Sequence, residues 1–345
     1  MATASPAHTA HRAAWRRRAR LLGAVLAAIL ILAVLDVLLG PSGIGLAQLW
    51  RSVADPQSGT AHVIFWHIRL PQALMAVLVG AALGLAGAEM QTVLDNPLAS
   101  PYTLGVSSAA ALGAALTLVF QWRLPLLSVD HTLIVSAFSL ALLCTLTLDA
   151  VAKRARIGSA GIVLFGIALV FAFNALLSLI QLLANAAALQ DLVFWMMGSL
   201  ARSDWPKLTV MAGVLAAVFP FALRNAWRLT ALRFGDARAV SFGADPARTR
   251  RWSLLRVSML ASVAVALVGV IGFIGLIAPH VARRLWGEDH RWYLPASAAT
   301  GSLILLGASV AAKLISDQVV IPVGIVTTLV GIPFFVIVLT RRRAY

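Results

Sequence analysis

The sequence predicts an all-α polytopic membrane protein with about ten transmembrane helices and cytoplasmic N- and C-termini. Sixty percent of its residues are hydrophobic, 12% are charged, and the mean hydropathy is +0.89, well outside the range of soluble domains. Apolar runs of about 20 residues recur, each long enough to cross a ~30 Å hydrocarbon layer as a helix. A backbone in lipid must satisfy its own hydrogen bonds, so these runs are expected to be helical.

The segment from Arg69 to Ser108 is expected to organise the bundle. An Arg-Leu-Pro corner opens it, an apolar span follows, and an Asn-Pro-Leu turn closes it because proline ends the helix. Gly80, Gly84 and Gly87 lie three or four residues apart and so share one helix face. Such spacing favours close packing against a neighbouring helix.

The first helix is expected to follow a basic tail. Residues 1–19 carry four arginines, Arg20 follows directly, and the segment is predicted to be a disordered cytoplasmic tail. The apolar run after them ends at Gly40-Pro41 without a small-x-small cleavage site, so we expect it to be a transmembrane helix and not a cleaved signal peptide. Asp36 lies near its far end, where we expect it to reach the interface.

The remaining elements are separated by polar turns, prolines and basic loops. Residues 185–205 are expected to lie at the membrane surface, and a short apolar piece broken by Pro279 is counted as a span. Residues 20–342 therefore form one transmembrane domain that carries a basic loop at 224–252. The predicted helices cover about residues 20–39, 70–92, 99–120, 131–152, 160–184, 206–223, 253–270, 273–286, 293–313 and 322–340.

The lysines and arginines assign an orientation to these ten spans. With ten crossings, 21 of these residues fall in the tail, the loops and the C-terminus of one side, and six fall on the other. Because positive residues accumulate on the cytoplasmic side, both termini are predicted to be cytoplasmic. The same rule explains the net charge of +15 without a nucleic-acid partner.

The sequence lacks the residue patterns of a disulfide framework, a metal site and a nucleotide-binding loop. The single cysteine, Cys144, excludes a disulfide framework, and the seven histidines show no metal-ligand spacing. None of the three lysines follows a glycine, so no GxxxxGK[ST] nucleotide loop is present. We therefore expect no enzyme activity and no cofactor in this chain, with ATP and Mg²⁺ bound by a separate ATPase if ATP drives it. An ion-coupled secondary transporter stays open, although Asp36, Glu89 and Asp149 all lie near span ends.

Two polar features leave alternatives open. Asn174, Ser178 and Gln181 form one stripe on the fifth helix, which indicates either interhelical hydrogen bonds or a transport pathway. In the basic loop, the stretch 232–243 is predicted to form a short helix that ends at Gly243. The two phenylalanines of this stretch suit docking to a soluble partner. A solvated loop would explain the basic charge of the stretch but not the two phenylalanines.

Several motifs, in order along about residues 60–342, resemble the signature of the FecCD family, the permease subunits of type II ABC importers for iron–siderophore complexes, haem and vitamin B12. The motifs are Arg69-Leu70-Pro71, the GAALGLAG run, Gln91, Asn96-Pro97-Leu98-Ala99, Pro101, Leu104-Gly105-Val106, Met197-Gly198-Ser199-Leu200, the 232–243 loop, Gly272 to His280, Pro322 to Thr327 and Gly331 to Phe335.

The resemblance implies a permease subunit in the bacterial inner membrane that moves a ferric siderophore or related iron chelate inward by alternating access; haem or cobalamin is the alternative cargo. It implies a second permease subunit, identical or not, two cytoplasmic ATPases, a periplasmic binding protein and membrane lipid as partners. The common second arginine of the RLPR motif is Gln72 here, and the acid usual before Lys313 is Ser309. His280, in a Pro-His pair of the family, is expected to be structural.

The resemblance also implies roles for particular residues. Those for ATPase coupling are Phe234, Gly235, Asp236, Ala239 and Gly243; those of the cytoplasmic gate are Asn96, Leu98, Ser159 and Ala160; those that dock the binding protein are Arg69 and Lys313. We call residues 224–252 the coupling loop.

Overall fold

The computed structural model describes residues 6–40, 59–154, 159–315 and 321–341, which form thirteen helices and no strand. The helices are α1 (Pro6–Leu38), α2 (Thr60–Val93), α3 (Val106–Phe120), α4 (Val129–Arg154), α5 (Ser159–Leu183), α6 (Ala186–Met196), α7 (Trp205–Arg224), α8 (Ala226–Leu232), α9 (Asp236–Ser241), α10 (Pro246–Val268), α11 (Ile274–Trp286), α12 (His290–Ile315) and α13 (Val323–Arg341).

Helix α2 is the centre of the bundle, as the sequence predicts. It packs against α12, α10, α11, α7 and α1, and nearly all of its residues from Ala82 to Val93 are buried. Added Cβ atoms at Gly80, Gly84 and Gly87 would collide with backbone carbonyl groups of α12 and α11. The three glycines therefore allow the close helix packing that their spacing indicates.

Seven of the described helices are long and apolar enough to cross a membrane: α1, α2, α4, α5, α7, α10 and α12. The other three predicted spans correspond to the shorter helices α3, α11 and α13. The predicted fold class, an all-α polytopic membrane protein, is confirmed.

Both ends of the described chain lie on one face of the bundle. The indole Nε1 of Trp286, at the end of α11, donates to the carbonyl oxygen of Arg18, and Trp15 packs edge-on against Trp292. Helix α13 runs parallel to α11, because Gly331 lies against Phe273 and the later Phe334 against His280. This face also carries the coupling loop, and we call it the basic face.

Three predicted boundaries are wrong. Helix α1 begins at Pro6, so most of the tail at 1–19 is helical, since its alanines and arginines are strong helix formers. Helix α10 begins at Pro246, seven residues before its predicted start, because Asp245 caps it and proline is favoured at the first position. Helix α3 begins only at Val106, after a series of turns through two prolines. The segment 185–205 contains the short helix α6, which Asn185 caps, and its position at the membrane surface stays a prediction.

Candidate functional site

The coupling loop presents two aromatic rings to solvent on the basic face. Phe234 and Phe242 are 56% and 60% exposed, and their rings meet edge-to-face with centroids 6.3 Å apart. Val240 lies nearby on α9 and is also exposed. An exposed apolar cluster of this kind on a basic surface is typical of a protein-binding site, and the predicted exposure of the two phenylalanines is confirmed.

Two glycines and one alanine give the tip of the loop its shape. Gly235 and Gly243 flank α9 with φ angles of +91° and +82°, a backbone conformation that side chains disfavour. Open space surrounds both α-carbons, so the backbone angle and not crowding requires glycine there. Ala239, on the inner side of α9, is fully buried. The short helix and its stop at Gly243 therefore form as the sequence predicts.

Arg250 joins the coupling loop to the end of α2. Its guanidinium binds the Asp236 carboxylate through two hydrogen bonds of 2.7 and 2.8 Å, and its Nε donates to the carbonyl oxygen of Val93 at 3.1 Å. The hydrogen bond from Arg250 holds the pKa of Asp236 below its usual range. One side chain on α10 thus contacts both α9 and the last turn of α2.

Arg233 makes a second connection from the loop. It binds Asp95, which follows α2, at 2.9 Å and Glu288, in the turn between α11 and α12, at 2.8 Å. Asp95 has a φ angle of +43°, so this turn is held in an uncommon conformation at the point where Arg233 contacts it. Arg233 therefore links the coupling loop to two other parts of the basic face.

His290 fixes the base of α8. Its two ring nitrogens lie 2.8 Å from Thr92 Oγ1 on α2 and 3.1 Å from Thr230 Oγ1 on α8. The ring is buried and also packs edge-on against Tyr293. The loop is consequently attached to the bundle at three points, each of which includes α2 or the turn that follows it.

The predicted gate residues Asn96 and Leu98 lie in the turn after α2, residues 94–98, which we call the gate turn. Asn96 Oδ1 accepts a hydrogen bond from the Leu98 amide at 2.9 Å, and the Leu98 side chain is 40% exposed. Arg233 contacts the neighbouring Asp95. The structure thus brings the predicted coupling and gate residues into one connected region.

The second predicted gate layer lies on α5. Ala160 is exposed in the first turn of this helix, and the side chain of Ser159 lies outside the described residues. The chain after the gate turn meets α5 deeper, where Leu104 packs against Gly166. The gate role of all four residues stays a prediction.

The three residues of the predicted polar stripe on α5 make different kinds of contact. Asn174 and Ser178 are exposed, and the Ser178 hydroxyl donates to the Asn174 carbonyl within the same helix. Gln181 is partly buried and its amide lies 3.9 Å from the Met196 sulfur of α6. Gln181 therefore makes an interhelical contact, and the pathway role of the stripe stays a prediction.

The two predicted docking residues lie at the face opposite the coupling loop, where Arg69 is buried and Lys313 is partly buried. Lys313 Nζ lies 2.7 Å from both Oδ2 and the carbonyl oxygen of Asp36. Arg69, only 4% exposed, donates to the carbonyl oxygens of Val37, Leu38 and Gly40 and so caps α1. The expectation that Asp36 reaches the interface is wrong, because it is fully buried. Docking by Arg69 and Lys313 stays a prediction.

Sequence reasoning also missed the ion pair between α2 and α10. Arg256 binds the Glu89 carboxylate with distances of 2.6 to 3.1 Å, and both side chains are buried. A lone arginine within a predicted span was the available signal, since a buried charge needs a partner. Among the described residues, no three His, Cys, Asp or Glu side chains come together as a metal site.

Comparisons with known proteins agree with the fold. A model described as the FecCD transport family matches residues 27–341. The chain is 33% identical to the hemin transport system permease protein HmuU of Yersinia pestis, over 94% of this chain and 96% of the relative. It is 33% identical to the vitamin B12 import system permease protein BtuC of Vibrio cholerae, over 95% of each.

Two further similarities extend this set. The chain is 35% identical to the Fe(3+) dicitrate transport system permease protein FecD of Escherichia coli, over 85% of this chain and 91% of the relative. A solved structure reported as an inward-facing conformation of a transporter assigned to the metal-chelate ABC type superposes with a TM-score of 0.82 at 29% identity. That superposition covers 93% of this chain and 99% of the other.

Proposed function

Because the chain belongs to the FecCD transport family, whose model matches it from residue 27 to residue 341, we propose that it is the membrane permease subunit of an ATP-driven importer. It works in the inner membrane with a second permease subunit, two cytoplasmic ATPase subunits and a periplasmic binding protein. The chain supplies no catalytic residue, and ATP and Mg²⁺ are bound by the ATPase.

The observation that supports this proposal is that the coupling loop is exposed at its tip and attached to the helices at its base. Its tip exposes Phe234 and Phe242, whereas its base is fixed to the rest of the protein through Arg233 and Arg250. A partner that binds the two rings can therefore move the loop without unfolding it. The function follows from this combination of an exposed apolar contact and a firm attachment.

The attachment suggests how the movement reaches the gate turn. Arg250 contacts the carbonyl oxygen of Val93 and Arg233 contacts Asp95, so displacement of the loop pulls on the residues immediately before Asn96. A shift of the gate turn repositions Leu98. The exposed side chain of Leu98 would then narrow or widen the cytoplasmic end of the transport pathway. In this mechanism the permease changes conformation and forms no covalent intermediate.

The proposed cargo is a ferric siderophore or related iron chelate. The relatives include a permease named for Fe(3+) dicitrate, and the superposed structure is assigned to a metal-chelate transporter. Haem and vitamin B12 are the alternatives, since relatives of nearly equal identity carry those names. The ligand that the cognate binding protein retains on purification decides among the three.

Co-purification with the cognate ATPase tests the proposal. Replacing both Phe234 and Phe242 by alanine should weaken ATPase binding at least tenfold, because buried aromatic anchors supply much of an interface's affinity. Leu285→Ala is the matched control, since Leu285 is exposed near the end of α11 and lies outside the coupling loop. Transport by the purified chain in vesicles without any ATPase would instead support the ion-coupled alternative and contradict the proposal.

A further inference from the structure

A small basic pocket lies within the coupling loop, between the α7–α8 junction and the first turns of α10. Its volume is about 140 Å³, enough for a phosphate group and several water molecules. The residues that line it include Asn225, Arg228, Asp245, Arg248, Trp252 and Arg256. The Arg228 guanidinium also lies over the ring of Trp227, 5.4 Å from its centroid.

The pocket has more positive than negative charge. Arg256 is neutralised by Glu89, and the Asp245 carboxylate accepts from the Arg248 amide as the cap of α10. The guanidinium groups of Arg228 and Arg248 remain against the single charge of Asp245. Asn225 Oδ1 accepts from Arg228 at 2.8 Å, which holds one of these two groups in place without neutralising it.

The pocket also lies where a membrane surface is expected. Helix α7 is a candidate span whose outward face exposes Val210 and Phe221, and the pocket begins directly after this helix ends. Trp252, on the pocket wall, is 53% exposed, and tryptophan is enriched where lipid headgroups meet the hydrocarbon. The basic groups thus stand at headgroup level beside an apolar surface.

We propose that this pocket binds the phosphate of an anionic phospholipid. Arg228 and Arg248 pair with the phosphate oxygens, Trp252 lies at the level of the glycerol backbone, and the acyl chains follow the exposed face of α7. Guanidinium groups match phosphate oxygens in geometry as well as charge. Basic pockets at the cytoplasmic ends of transmembrane helices are suited to anionic headgroups.

The experiment is a titration of phosphatidylglycerol into the purified full-length chain in neutral detergent, with bound lipid counted by native mass spectrometry. Arg228→Gln and Arg248→Gln should each raise the lipid Kd about fivefold, and the double variant about 25-fold. Arg284→Gln is the charge-matched control, because Arg284 is exposed on the same face outside the pocket, and its Kd should stay at the wild-type value. Each variant is first shown to elute as the wild type does.

Three results would overturn the proposal. An unchanged lipid Kd in the double variant would mean that the pocket does not bind the lipid. An equal rise of the lipid Kd in Arg284→Gln would mean that general surface charge accounts for the binding. Inorganic phosphate supplies the third arm: at matched ionic strength it should leave the lipid bound. Displacement of the lipid by inorganic phosphate at similar concentration would make the pocket a site for a free anion.

Discussion

Charged side chains fasten the helix ends at both faces of this protein, but the two sets differ in burial. At one face, Arg69 and Asp36 are buried and the Lys313 side chain is only 12% exposed; the two cations bind the end of α1 through Asp36 and three backbone carbonyls. At the basic face, Arg233 and Arg250 are partly exposed, and their carboxylate partners are more exposed still. We call Asp36, Arg69 and Lys313 the dry cluster. We call Arg233 and Arg250, with their carboxylate partners Asp95, Glu288 and Asp236, the wet cluster.

This difference indicates which cluster stabilises and which one moves. A buried ion pair that loses one partner leaves an uncompensated charge, so the dry cluster holds the ends of α1, α2 and α12 together rigidly. Exposed pairs contribute little and exchange readily with water. The wet cluster therefore suits a connection that must shift between conformations, as the proposed link between coupling loop and gate turn must.

The largest expected effect is in the dry cluster. Lys313→Met removes the cation bound to Asp36, whose other carboxylate oxygen already has no hydrogen-bond partner. We expect this change to lower the free energy of unfolding by about 3 kcal/mol. Denaturant titration in mixed micelles measures the loss.

A double variant supplies the control for that loss. Adding Asp36→Leu to Lys313→Met removes the unpaired charge and should recover much of the stability. If Lys313→Met instead kept wild-type stability and weakened only the affinity for the binding protein, Lys313 would be a docking residue and the contrast between the clusters would fail.

A smaller stability effect with a larger functional one is expected in the wet cluster. Arg250→Gln removes the connection from Asp236 to Val93 but should cost at most about 1 kcal/mol of stability, because the pair is partly exposed. The number of cargo molecules transported per ATP hydrolysed should fall several-fold. Proteoliposomes with the cognate ATPase and binding protein measure this ratio.

Arg238→Gln is the matched control for Arg250→Gln. Arg238 is an exposed arginine on α9 whose backbone carbonyl oxygen accepts hydrogen bonds from the Phe242 amide and the Ser241 hydroxyl. In Arg238→Gln, the number of cargo molecules transported per ATP hydrolysed should stay closer to the wild-type value. Equal loss in both variants would mean that general charge, and not the Val93 contact, carries the coupling.

The sequence predicts the outline of these regions but not their contacts. The apolar runs and glycine spacing predict α2 as the central helix, and the two phenylalanines predict an exposed loop tip, because both signals are local. The pairs Arg233–Asp95 and Glu89–Arg256 join residues more than 130 positions apart. Such pairings depend on how helices pack, and spacing along one chain does not specify them. The expectation for Asp36 is wrong for this reason, since its partner Lys313 lies on α12.

The smallest expected effect is the pH dependence of the Asp236–Arg250 pair. Hydrogen bonding to Arg250 lowers the pKa of Asp236 in the folded protein, so the pair is fully formed above the unfolded value of 3.8 and is lost as the pH falls through the folded value. The difference in melting temperature between wild type and Asp236→Asn should therefore stay constant from pH 7 to about pH 4 and shrink only below it. A difference that closes between pH 7 and pH 5 would show that another group titrates, because a carboxylate with a lowered pKa keeps its charge throughout that range.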